Sequence, residues 1–281
     1  MKKLIFFFAL IGVMAFNNAL AQTEVASGTC GDNLTWVLTE DSVLTISGTG
    51  AMTDYNWNTM PWYSNRTAIK TAVIENGVTT IGDYTFCNCT GLTSVTIPNS
   101  VTSIIIGNNV FAFCRSLTSI DVDGNNIVYS SENGILFDKA KTTLLLYPAS
   151  KTDTTYTIPS SVTTIGLVAF WNCILTSVTI PKSVINIEDY VFQNCLSLTS
   201  VINLNPVPVE ISTNVFSNVN KTACTLKVST SAVSAYQAAD VWKEFNVVGG
   251  AICNTGIVET LQATSLQVYP NPTTGQLTIN N

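Results

Sequence analysis

Residues 78–98 read Val78-Thr79-Thr80-Ile81-Gly82-Asp83-Tyr84-Thr85-Phe86-Cys87-Asn88-Cys89-Thr90-Gly91-Leu92-Thr93-Ser94-Val95-Thr96-Ile97-Pro98. The same order of residues returns three times. A second unit starts at Val101 and carries Phe111, Cys114 and Leu117-Thr118-Ser119-Ile120-Asp121-Val122. A third starts at Val162, with Phe170, Cys173 and Leu175-Thr176-Ser177-Val178-Thr179-Ile180-Pro181. A fourth starts at Val184, with Phe192, Cys195 and Leu198-Thr199-Ser200-Val201-Ile202. The starts are 23, 61 and 22 residues apart, so the long gap holds a variant unit. Self-similarity at this period is the mark of a repeat architecture.

Each unit has a physical reading. Leu92, Val95 and Ile97 fit a leucine-rich strand, in which the two-residue period turns Val95 and Ile97 inward and Ser94 and Thr96 outward. Phe86 and Cys89 are three apart, as on one turn of a short helix. Asp83 stands where an N-cap would, with Asn109 and Asp189 in comparable places. Pro98 and Pro181 end the strands, where a missing donor does little harm. One unit cannot bury its own apolar face, whereas stacked units can. The expected fold is therefore an α/β repeat solenoid, rich in β-strand.

The second unit holds two extra residues, Ile105-Ile106, read as a bulge or looped turn. In the variant rung, 123–161, residues 129–137 and Leu144-Leu145-Leu146 read as two short strands joined by a polar turn. Residues 22–77 fit an N-terminal cap, with 34–38 and 43–47 alternating as a hairpin around Thr39-Glu40-Asp41-Ser42. The regular repeats run over 78–223. Residues 224–250 fit a C-terminal cap of strand, short helix and strand. A polar linker follows at 251–265. At the start, Lys2 and Lys3, an apolar run over 4–16 and Ala19-Leu20-Ala21 make residues 1–21 a signal peptide cleaved before Gln22. That run is short for a bilayer span, and no second one follows, so no transmembrane segment is expected after cleavage.

The F-x-x-C-x-x-L-T-S-V-T-I-P rungs resemble the BspA-type leucine-rich repeats of bacterial surface proteins. So do Gly134-Ile135-Leu136-Phe137-Asp138-Lys139-Ala140-Lys141 and the leading stretch Gly28-Thr29-Cys30-Gly31. The resemblance covers residues 27–248. It implies an exported binding protein that adheres to host matrix proteins, host cells or other bacteria. Tyr236, Ala239, Trp242 and Phe245 also resemble the ending of such arrays. The run Val268-Tyr269-Pro270-Asn271-Pro272, with Gly275 and Leu277-Thr278-Ile279, resembles the start of a C-terminal sorting domain of the type IX (Por) secretion system of Bacteroidetes. Residues 266–281 would be a truncated copy of it. That resemblance implies the type IX machinery as a partner and an address outside the cell or on the outer membrane.

Composition narrows the function. There are 12 basic and 18 acidic residues, a net charge of −6 and no basic block, so no electrostatic footprint for nucleic acid exists. The chain has no His, which removes His-based catalytic triads, His-ligated metals and an imidazole switch. Ser and Thr number 63 against 30 charged residues, so hydroxyls dominate the polar surface. No phosphate-binding or nucleophile-elbow motif is present. Glu40-Asp41 and Glu188-Asp189 read as turn residues rather than an acid–base pair facing across a cleft. No cofactor and no catalytic residue is assigned.

Candidate sites remain. Cys89, Cys114, Cys173 and Cys195 occupy one column, where a small buried hydrophobe at each rung is the simplest account. Stacked rungs place these thiols in a line, not a tetrahedron. Cys224 and Cys253 flank the C-terminal cap and are candidates for one disulfide. Asp121, Asp123, Asn125 and Glu132 have the spacing of a calcium loop, but Asn126 stands where the sharp turn needs Gly. Turn formers explain the same residues. Trp171 replaces the residue that is Cys87, Ala112 and Gln193 in other rungs. It is either an exposed anchor for a protein or sugar ligand, or packed over the Val168 side of its own turn. The outward strand columns, Ser94, Ser119, Ser177 and Ser200 beside Thr96, Asp121 and Thr179, would line one wide, hydroxyl-rich binding face. The ligand is expected to be a host matrix or cell-surface protein, with a glycan as the alternative.

Overall fold

The computed structural model describes residues 23–250, and the paired strands Tyr269–Pro270 and Leu277–Thr278 further on. The stretches read as a signal peptide (1–21) and a linker (251–265), most of 266–281 and Cys253 lie outside the described residues. The chain winds as a β-solenoid of about 8 turns, mostly sheet with few helices.

Two strands recur in each regular rung. The first carries the Ser-Val-Thr-Ile type sequence and builds the front of the stack. There Thr71–Ile74, Ser94–Ile97 and Ser119–Val122 pair in parallel. The inward Ala72, Val95 and Ile120 fall in register and are fully buried. The alternation read from Leu92 to Ile97 is thus the alternation of the sheet. A second strand, such as Val78–Ile81 or the two-residue Thr164–Ile165, follows the corner after each front strand and forms the adjoining face.

The caps follow from the same physics. The hairpin Leu34–Thr39 with Val43–Gly48 closes the first sheet. An outer strand, Glu24–Gly31, which the sequence did not reveal, pairs antiparallel to it. Trp62 is fully buried there and its Nε1 donates to the Thr85 carbonyl at 3.0 Å. At the other end, Thr225–Ser229 and Asn246–Gly250 extend the second front sheet in parallel. The helix Val233–Ala238 lies between them in sequence, and Trp242 Nε1 donates to the Val209 carbonyl at 2.8 Å. Each indole buries a large apolar body without orphaning its N–H.

The third side of the rung differs from expectation. No helix forms around Phe86. Tyr84 and Asn88 take left-handed backbone, φ 54° and 59°, and the segment is two successive tight turns. Asp83 caps nothing; its carboxylate accepts both bonds from Asn108 Nδ2, at 2.8 and 2.9 Å, one rung away. The reason is the inter-rung ladder. Tyr84, Phe86 and Asn88 N–H donate to the carbonyls of Asn108, Val110 and Ala112 at 3.1, 2.9 and 2.8 Å. A helix would turn those donors back into its own segment.

These turns hold an aromatic spine. Phe170, Phe192 and Phe216 stack at 5.0 Å intervals, and Tyr147 lies 5.1 Å from Phe170. Phe216 belongs to a fifth turn that the sequence reading did not separate out. In the first half, Trp62, Phe86 and Phe111 stack at 6.3 and 5.5 Å. The core falls into two clusters, one ending near Phe111 and Leu146 and one containing Tyr147 to Phe245.

The variant rung makes the division. It holds three strands, not two: Tyr129–Glu132, Ile135–Asp138 and Thr143–Leu146, antiparallel in succession. The unforeseen turn is Asn133-Gly134, both at positive φ (52° and 77°), which a two-residue hairpin loop needs. Asn126 anchors the insert. Buried, it donates from Nδ2 to the Pro98 and Val101 carbonyls and accepts from the Val128 and Tyr129 N–H groups, all within 2.9 Å. It is a corner brace, and Asn205 does similar work at Pro181 and Val184.

Candidate functional site

The residues singled out from sequence do not converge on one site. Ser94 pairs with Ser119 and Thr96 with Asp121 in the first front sheet. Ser177 pairs with Ser200, and Thr179 with Ile202, in a separate sheet. The variant rung interrupts the hydroxyl face between them. Gly134 packs directly on Ser119: a Cβ there would come within 2.6 Å of Ser119 Oγ. The Ser119 hydroxyl is also spent on Asp121, at 2.9 Å. The single four-serine face expected from sequence is therefore two half-faces.

The cysteine column is buried, with Cys89, Cys114, Cys173 and Cys195 at most 3% exposed. Cys114 and Cys195 donate from Sγ to the carbonyls of Phe86 and Phe170 at 3.0 Å. Burial pushes the Cys89 thiol up to about 12, and the Cys114 and Cys195 thiols well above their ordinary range. Such thiols are poor nucleophiles and poor metal ligands. Cys224 is fully buried in the C-terminal cap. Among the described residues no cluster of three or more Cys, Asp or Glu is arranged to hold a metal.

Trp171 is where the geometry becomes specific. Its column is not a solvent column, because Cys87 and Ala112 are buried there. Trp171 is half-buried, and instead of resting only on its own turn it meets Phe113 edge to face, ring centroids 4.9 Å apart. The two rings come from turns on opposite sides of the variant rung. Beside this ring pair lies a notch of about 310 Å³, lined by Phe113 and Trp171 themselves, by Leu146, Tyr147, Leu167 and Val168, and by Arg115. The size is at the small end for a ligand pocket, and the lining is mainly apolar.

Phe113 was missed in the sequence, yet the signal was there. Two residues after Phe86, Phe170, Phe192 and Phe216 stand Asn88, Asn172, Asn194 and Asn218, all near φ 60°. Only the second turn has Phe at that place, also at φ 60°. Asn tolerates this backbone, while a bulky aromatic is strained in it. Val168, at φ 55°, is a β-branched residue in the same predicament. Strain of this kind gathers at functional sites.

Fold and rung geometry together define a leucine-rich repeat solenoid. A family model described as the BspA type leucine-rich repeat region matches residues 61–139 and 149–239 in six copies, and the chain belongs to that family. The family and fold are typically non-enzymatic and are consistent with a binding role. Among solved structures, a leucine-rich repeat protein of Eubacterium ventriosum is 27% identical, over 74% of this chain and 80% of that one, with a TM-score of 0.35. The pneumococcal vaccine antigen PcpA is 12% identical over 82% and 100%, with a TM-score of 0.37. A leucine-rich cell surface protein of Faecalibacterium prausnitzii is 15% identical over 82% and 96%, with a TM-score of 0.36. No curated protein matches. No helix among the described residues is long and apolar enough to cross a membrane.

Proposed function

We propose that this chain is an exported, cell-surface binding module that adheres to a protein ligand of a host or a neighbouring cell. The observation that carries the reading is the apolar notch lined by the Phe113–Trp171 ring pair, set into an otherwise regular family scaffold. An apolar hollow flanked by two aromatic rings is the kind of place where protein contacts concentrate their energy. The leader-like start and the Val268-Tyr269-Pro270-Asn271-Pro272 run support export through a type IX route. Glycan capture is the second reading, favoured by an indole at the rim of the notch.

The test is a side-by-side screen of the purified full-length chain against immobilised matrix proteins and a glycan array. Saturable binding to a matrix protein, unaffected by free sugars and weakened at least about tenfold by Trp171→Ala, is the expected result. Binding to glycans alone would transfer the assignment to sugar capture. Silence on both arms would remove adhesion as the function.

A further inference from the structure

On both sides of the variant rung successive turns share at least two main-chain bonds, and at the variant rung the ladder is broken. Val168, Phe170 and Asn172 N–H donate to the Asp189, Val191 and Gln193 carbonyls at 3.2, 2.9 and 3.0 Å, just as Tyr84, Phe86 and Asn88 do one half earlier. From the variant rung only one such bond reaches the next turn, Tyr147 N–H to the Ala169 carbonyl at 2.7 Å. The cause is a short turn. Phe170 follows Ile165 by five residues, whereas Tyr147 follows Leu144, the partner of Ile165 in the sheet, by three.

The shortfall leaves main-chain groups unpaired on both walls. The Leu167 and Trp171 carbonyls accept no hydrogen bond from any described residue. On the facing wall the Phe113 N–H has no acceptor among the described residues. Trp171 Nε1 is shielded from solvent and likewise has no partner. Arg115, exposed at the rim with its guanidinium 6.0 Å from the Phe113 ring, forms no ion pair among the described residues. The Phe113 N–H on one side, the Trp171 Nε1 donor with the Leu167 and Trp171 carbonyls on the other, and an apolar lining fit a peptide backbone carrying one large apolar side chain. The lining is mainly apolar, with Asn109, Asn172 and Gln193 among its polar side chains, and the unpaired main-chain groups favour a peptide over a sugar.

We propose that the notch docks a peptide segment of the partner protein, which completes the missing turn. Its aromatic side chain enters beside Phe113 and Trp171 over Leu146. Its backbone accepts from Trp171 Nε1 and donates to the Trp171 carbonyl. A carboxylate next to the aromatic pairs with Arg115. The inference rests on the binding-module reading and names the ligand class for it.

The probe is the fluorescein-labelled peptide Asp-Tyr-Val-Phe-Gln-Asn, the sequence of residues 189–194, which is a turn this chain itself stacks. Its twin carries Ser in place of both Tyr and Phe. The decisive variant is Phe113→Asn, which restores the residue found in the other four turns and relieves the strained backbone. It is expected to fold at least as stably as the parent, checked by thermal unfolding. Saturable binding of the probe to the full-length chain, reduced at least tenfold with the Ser twin and at least tenfold by Phe113→Asn, is the expected outcome. Arg115→Ala should weaken binding about threefold and remove most of its salt dependence.

Equal binding of probe and twin, no binding of either, or unchanged binding by Phe113→Asn would each overturn the proposal. So would preferential binding of a peptide of residues 251–281 or of a chito-oligosaccharide in place of the probe. The two readings fail separately. A chain that binds matrix protein equally well with and without Phe113→Asn keeps its adhesive function and loses this site. A chain whose notch takes the probe but that binds no matrix protein keeps the site and loses that function.

Discussion

From Phe170 to Phe216 the molecule repeats itself without interruption; from Phe111 to Phe170 it does not. In the first region every aromatic ring has a ring on both sides, with Phe192 held between Phe170 and Phe216 at 5.0 Å each. In the second, Phe111 stacks on Phe86 and adjoins the notch on its other side. A repeat protein can carry chemistry where its repetition stops. Regular rungs satisfy one another's donors, acceptors and apolar faces, and so leave nothing over for a ligand. A rung of the wrong length leaves bonds unmade, and those are what a partner can use.

Three experiments attack the comparison. The largest effect is expected from Phe192→Ala, which empties a site enclosed on all sides and should cost about 3–5 kcal/mol. Phe111→Ala, already 8% exposed and stacked on one side, should cost about half as much. Urea unfolding followed by Trp fluorescence measures both, and equal losses would mean the seam is no weaker than the stack. Next comes the pair of asparagine braces. Asn126→Ala strands two carbonyls and two N–H groups and should cost about 3 kcal/mol. Asn205→Ala, with bonds of 3.4 and 3.0 Å to the Pro181 and Val184 carbonyls, should cost about 1–2 kcal/mol. The reverse order would remove the insert's special dependence on its anchor.

The smallest effect near neutral pH, and the one that should ignore the seam, is alkaline titration. The Cys89 thiol rises from 9.0 to about 12 on folding because burial disfavours its charged form. Below pH 9 both states hold the proton and nothing is lost. Between 9 and about 12 the unfolded chain loses the proton and the folded chain keeps it, so stability falls as pH rises, by at most about 1.4 kcal/mol per pH unit per thiol. Cys114 and Cys195, shifted in the same direction, should act alike in the two halves. A melting temperature that stays level from pH 9 to 11 would show that these thiols are not buried as described.

Much of this was legible in the sequence because columns are legible. Phe86, Phe111, Phe170 and Phe192 share a register, and identical environments select identical residues. The N-terminal hairpin could be read because alternation over 34–47 has a single physical solution. What could not be read was set by partners one rung away. The helix expected around Phe86 failed because its amides bond across rungs, and a local pattern does not record that. The insert was read as two strands because the turn at Asn133-Gly134 sits within an otherwise continuous β-rich run. Glu24–Gly31 escaped because an outer strand with little burial lacks the alternation that betrays a strand. Trp171 stood out as a candidate because it breaks its column, and its neighbour Phe113 did not, though it breaks the asparagine column by the same logic.

The rung period has a consequence for how such chains change over generations. Val162 and Val184 begin equivalent units 22 residues apart, so excising one unit joins like to like and shortens the stack by one strand spacing, about 4.8 Å. Unequal exchange between repeats in the gene would therefore yield offspring of different lengths that still fold. The variant rung has no sister copy to recombine with. It gives the molecule one fixed landmark, so a lineage can lengthen or shorten its reach on either side while presenting the same feature to whatever it meets.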